Sequence, residues 1–66
     1  MKINDVVTWY DMYLEQIVKD SGLGSIVEID CYTTDGYETR FYKVWRFYPY
    51  NDFFIFEEYQ LEAVDG

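Results

Sequence analysis

The sequence predicts an α+β domain in which one N-terminal helix packs on a three-stranded antiparallel meander, in the order α-β-β-β. Three observations predict it. Apolar residues between Asn4 and Asp20 recur with a helical period, those after Gly24 recur with a period of two, and Asp35-Gly36 signals a tight hairpin. With 66 residues the chain makes a single domain, spanning 1–66.

The helix comes first. At about 100° per residue, Val6, Val7, Trp9, Tyr10, Tyr13, Leu14, Ile17 and Val18 share one arc. Asp5, Thr8, Asp11, Glu15, Gln16 and Lys19 fill the other side, with Met12 as the exception. Asn4 suits an N-cap, and Asp5 complements the helix dipole in the first turn. Ser21-Gly22-Leu23 reads as the stop, with Gly22 in the left-handed position after the last turn.

Three strands follow. Ile26 to Thr34 alternates Val27, Ile29 and Cys31 against Glu28 and Asp30. Tyr37 to Tyr48 is a long second strand, ended by Pro49, which cannot donate to a ladder. Phe53 to Val64 is the third. If Asp35-Gly36 form a two-residue loop, Thr34 faces Tyr37, Ile29 faces Tyr42 and Val27 faces Val44. If Pro49 to Asp52 form a four-residue loop, Tyr48 faces Phe53 and Val44 faces Glu57. Val27, Ile29, Cys31, Tyr42, Val44, Ile55, Tyr59 and Leu61 then lie under the helix, together with Arg46, which needs an acid or an open edge there. The opposite face carries Glu28, Asp30, Glu58, Gln60 and Glu62, with Lys43 between Glu28 and Glu58. It also carries Phe41, Trp45, Phe47, Phe54 and Phe56, rings with no second layer to bury them. A slip of one residue at either turn would exchange the two faces.

Composition narrows the function. Thirteen acids against five bases leave a net charge of −8, which opposes phosphate contacts with nucleic acid and attraction to anionic membranes. No histidine and a single cysteine, Cys31, remove internal disulfides and the usual zinc and iron–sulfur sites. Asp and Glu are abundant, but no calcium-loop spacing is present. No cofactor is implied. Cys31 lacks a neighbouring base and alternates onto the core face, so the reading is of a protein that is not an enzyme. No signal-peptide run or membrane-length apolar segment is seen, which reads as a cytoplasmic protein, in the host cytosol if phage-encoded.

Eight Tyr, five Phe and two Trp are many for so small a chain. Trp9, Tyr10, Tyr13, Tyr42 and Tyr59 read as core, and Trp45, Phe47, Phe54 and Phe56 as an exposed patch that a partner covers. Acids lie on every element, while Arg40, Lys43 and Arg46 gather on the central strand. Carboxylates two apart on a strand are about 6.6–6.8 Å apart, close to two rises of a duplex phosphate array. The expected partner is therefore a protein with a basic surface, contacted by Asp11, Glu15, Glu28, Asp30, Glu58 and Glu62 and anchored by Trp45, Phe47, Phe54 and Phe56.

In size, acidity and aromatic content the chain resembles small inhibitors encoded by bacteriophages and mobile elements. These include uracil-DNA glycosylase inhibitors, anti-restriction proteins and anti-CRISPR proteins. The likeness is one of composition and assigns no residue a role. It implies a stoichiometric inhibitor, acting as a nucleic-acid mimic on a host DNA- or RNA-processing or defence protein. Two alternatives stand beside it: an assembly module that homodimerises through the aromatic face, and an immunity- or antitoxin-like protein.

Overall fold

The computed structural model describes residues 1–64, apart from the Tyr13 side chain. It corrects the predicted fold class. The described chain is nearly all β, six strands joined in antiparallel pairs, with no N-terminal helix. The strands are β1 (Val6–Tyr13), β2 (Gln16–Lys19), β3 (Leu23–Thr34), β4 (Tyr37–Tyr48), β5 (Asp52–Glu57) and β6 (Leu61–Ala63). A 3-10 turn, Glu58–Gln60, separates β5 from β6. No helix among the described residues is long and apolar enough to cross a membrane.

The segment expected to be a helix is the hairpin of β1 and β2. Val6, Val7 and Thr8 are consecutive β-branched residues, followed by Trp9 and Tyr10, and such side chains lose rotamer freedom in a helix but suit a pleated strand. Leu14 and Glu15 turn the chain with φ of 49° and 63°, and Tyr13 pairs with Gln16 across them. The supposed cap, Asn4, has a φ of 78°, and its N–H donates to Ile26 O at 2.8 Å. Gly22 ends no helix. Its backbone packs on the Trp9 indole, where a Cβ would come 2.8 Å from Cζ2.

β3, β4 and β5 form the meander, and its first turn is as predicted. Asp35 and Gly36 have φ of 51° and 82°, and Thr34 pairs with Tyr37 and Ile29 with Tyr42. A bulge at Val27 then moves Ile26, rather than Val27, opposite Val44. The second turn departs further. Arg46 pairs with Asp52, and Val44 faces Phe54 instead of Glu57, a slip of three residues. An odd slip exchanges faces, so Phe56 turns inward opposite Tyr42, and Ile55 turns outward. The expected third strand also breaks at the 3-10 turn, where the Glu57 N–H donates to Gln60 Oε1 at 3.0 Å. β6 then returns to β1, pairing Leu61 with Trp9 and Ala63 with Val7. The sheet thus curls until its last strand meets its first.

The core lies inside that curl. Val7, Trp9, Ile26, Tyr42, Val44, Phe56 and Leu61 are buried, with Ile29 packed against them. Trp9 stacks on Phe56 with centroids 5.4 Å apart, so β1 and β5 meet across the interior. Cys31 and Tyr59, expected in the core, are exposed, as is Val27. Tyr10 is half-buried, and the expectation for the Tyr13 ring lies outside the described residues.

Candidate protein-binding surface

The outer face of the meander follows from alternation along β4. Tyr42 and Val44 point inward, so Phe41, Lys43 and Trp45 point outward. Pairing brings Glu28 and Asp30 of β3 beside Lys43 and Phe41, and Phe53 and Ile55 of β5 beside Trp45 and Lys43. Trp45, Phe53 and Ile55 are 42%, 60% and 61% exposed, an apolar patch with no layer over it. Phe47 extends it at the end of β4, its ring 5.8 Å from that of Trp45. The Trp45 indole N–H reaches Asn51 Oδ1 at 3.5 Å, which leans the ring toward the β4–β5 turn.

Lys43 does not form the expected ladder between Glu28 and Glu58. It lies between Glu28 and Ile55, and its ammonium sits 5.2 Å from the centre of the Phe53 ring. Glu28, Asp30, Tyr32, Phe41, Lys43 and Ile55 line a shallow groove beside the aromatic patch. Tyr32 and Phe41 meet edge to face within it, ring centres 5.6 Å apart.

The other predicted contact residues divide. Phe56 belongs to the core. Phe54 shares the inner face with Val44, its ring 4.8 Å from that of Phe56, and is nevertheless exposed. Glu62 has work inside the fold, accepting from the Tyr10 hydroxyl and from Lys19 Nζ at 3.4 Å. The Tyr10 bond and the Lys19 charge hold its carboxyl below the usual range, and the same bond pushes the Tyr10 hydroxyl up. Glu58 Oε1 accepts from the Tyr42 hydroxyl at 3.2 Å. Asp11, Glu15, Glu28 and Asp30 make no ion pair among the described residues. Of these four, only Glu28 and Asp30 adjoin the aromatic face; Asp11 and Glu15 lie on the β1–β2 hairpin.

Arg46, the residue that needed an acid or an open edge on the inner side, has one. Its guanidinium binds both Asp52 oxygens, at 2.7 and 2.6 Å, and lies over Tyr50 and Phe54 at 4.2 and 4.7 Å. The Asp52 carboxyl is held below its ordinary range by that hydrogen bond, and Arg46 is raised by it. Tyr50 completes the seal: its hydroxyl donates to Asp20 Oδ2 at 2.9 Å, which pushes its ionisation up. Asp20 also accepts from Gly22 N–H at 2.7 Å and, through its backbone oxygen, from Thr8 Oγ1 at 3.0 Å.

Two exposed regions escaped the sequence reading. Phe53 and Ile55 join the outer face only because of the three-residue slip, which no local signal announces. Met12, Leu14 and Ile17 are 73%, 81% and 74% exposed on the β1–β2 hairpin, where a helical reading buried Leu14 and Ile17. Met12 and Ile17 form a second groove with Tyr10, Asp11, Tyr59 and Gln60. Comparison of the chain with protein-family models, curated proteins and solved structures finds no match in any of the three.

Proposed function

We propose that this chain is a non-catalytic, stoichiometric inhibitor that covers a basic, nucleic-acid-binding surface of another protein. A phage- or mobile-element-type inhibitor of a host DNA- or RNA-processing or defence protein fits that description. The observation that supports it is the outer face of the meander. Trp45, Phe53 and Ile55 are exposed there, Glu28 lies across Lys43 from Ile55, and Asp30 lies beside Phe41; neither carboxylate has an ion pair among the described residues. Aromatic anchors inside a charged rim are the usual form of a protein-binding hot spot. The net charge of −8 steers such a face toward cationic surfaces and lets its carboxylates stand where phosphates would.

The experiment is displacement of a fluorescent duplex from a panel of basic DNA-processing proteins, a glycosylase, a restriction nuclease and a CRISPR effector among them. The proposal expects at least one member to release its duplex at a one-to-one ratio, with affinity falling as salt rises. Salt-independent displacement, or none across the panel, would count against it. The alternative, a homodimer closed over Trp45, Phe53 and Ile55, is favoured only by their exposure and opposed by like charge. Sedimentation of the chain and of Trp45→Ala separates the two.

A further inference from the structure

We propose that the free edge of β3 is a docking site for an extended, basic segment of the partner protein, which adds itself to the sheet as a further strand. The inference rests on the reading above that the partner is basic, and it names how that partner binds. β1 pairs with β3 only at Ser25 and Gly24. Ile26 exchanges hydrogen bonds with Asn4 and Asp5, at 2.8 and 3.0 Å. From Glu28 to Thr34 the only strand paired with β3 among the described residues is β4.

Hairpin geometry says which groups that edge offers. A two-residue turn closed by Thr34 and Tyr37 makes them a hydrogen-bonded pair, so Thr34, Tyr32, Asp30 and Glu28 spend their backbone groups on β4. The N–H and C=O of Ile29, Cys31 and Thr33 therefore face outward, ready to pair with another strand. Open edges are commonly blocked by lysine, proline or a bulge; the stretch from Glu28 to Thr34 has none of these, the bulge at Val27 lying just before it.

Side chains define the occupant. Glu28, Asp30 and Tyr32 share the outer face along this edge, and they line the groove described above. In an added antiparallel strand, residues opposite those three form the closer, non-hydrogen-bonded pairs. Lysine or arginine at alternate positions would meet Glu28 and Asp30 as opposite charges, and a third would lie against the Tyr32 ring. Main-chain bonds supply the pairing and the alternate cations supply the choice of strand. A second copy of the chain fits worse, because it brings its own charge of −8 to the same edge.

The probe is acetyl-Lys-Val-Lys-Val-Lys-Val-amide, added to the ¹⁵N-labelled chain while amide exchange is followed. The expected result is slowed exchange at Ile29, Cys31 and Thr33, by roughly tenfold or more at saturation. Methyl groups on the valine nitrogens, which face β3, should abolish the effect, whereas methyl groups on the lysine nitrogens should leave it. Glu28→Gln with Asp30→Asn should weaken binding roughly threefold to tenfold. Unchanged exchange at the three amides would overturn the inference, as would indifference to valine methylation. Protection that rises with chain concentration without peptide would also overturn it, in favour of a second copy. Duplex displacement with unprotected amides would remove this inference alone. Protected amides without displacement would instead remove the nucleic-acid reading of the partner.

Discussion

Trp9 and Trp45 lie in the same curled sheet and do opposite things. Trp9 is fully buried, stacked on Phe56 and covered at its edge by the Gly22 backbone. Trp45 is 42% exposed and rests against Phe47 with open solvent above. Both belong to strands in which β-branched and aromatic residues crowd together, so residue type does not separate them. What separates them is the direction in which the sheet curls. A small chain closes one face on itself around Trp9, and on the other face the rings of Trp45 and Phe53 are left exposed.

The comparison breaks most sharply on truncation. Trp9→Ala should cost about 3–5 kcal/mol, enough to unfold a domain of this size, while Trp45→Ala should cost under about 1 kcal/mol. Urea titrations of both variants check the pair. Equal losses would mean that the outer face is packed after all.

A second contrast tests the close approach behind the inner face. A Cβ at Gly24 would strike the Val44 side chain and lie 2.9 Å from the Trp45 carbonyl oxygen. Gly24→Ala should therefore cost about 1–3 kcal/mol through overpacking. Gly36→Ala has open space around it but a φ of 82°, so its smaller cost comes from backbone strain alone. Thermal melts of the two variants rank them.

Acid should loosen the β4–β5 pairing at Arg46–Asp52 and the contact of β6 with β1 and β2 at Glu62. Arg46 lowers the Asp52 ionisation, and Tyr10 with Lys19 lowers that of Glu62. The unfolded chain takes up each proton at higher pH than the folded one. The stabilisation is therefore present above the ordinary carboxylate range and is lost as pH falls through the depressed values. The urea midpoint should drop from about pH 5 to about pH 2, and Asp52→Asn with Glu62→Gln should flatten that drop.

The two hairpins show how much of the fold was legible. Both turn through two residues with positive φ, but one turn is Asp35-Gly36 and the other Leu14-Glu15. Aspartate and glycine accept that conformation readily and announce it; leucine and glutamate do not. With no turn signal, the apolar residues of β1 and β2 fell on a helical arc by coincidence of spacing, although Val6-Val7-Thr8 already favoured a strand. Replacing Leu14-Glu15 by Asn-Gly should stabilise the protein by about 0.5–1 kcal/mol, read as a raised melting temperature.

The candidate surface was legible where register follows a strong turn. Glu28, Asp30, Trp45 and Phe47 lie outward as alternation from Asp35-Gly36 requires. It was illegible past Pro49, because the Arg46–Asp52 clasp and the Trp9–Phe56 stack choose the register there, and both are contacts between distant residues. That choice exchanged Phe54 and Phe56 for Phe53 and Ile55 on the outer face.

The most direct test of the account is duplex displacement by the wild-type chain and by Trp45→Ala, measured on the same responsive basic protein. The account predicts one-to-one displacement by the wild type and a loss of about 30-fold or more in the folded variant, consistent with a hot-spot ring. Equal displacement by both, at matched salt and with both chains folded, would contradict it.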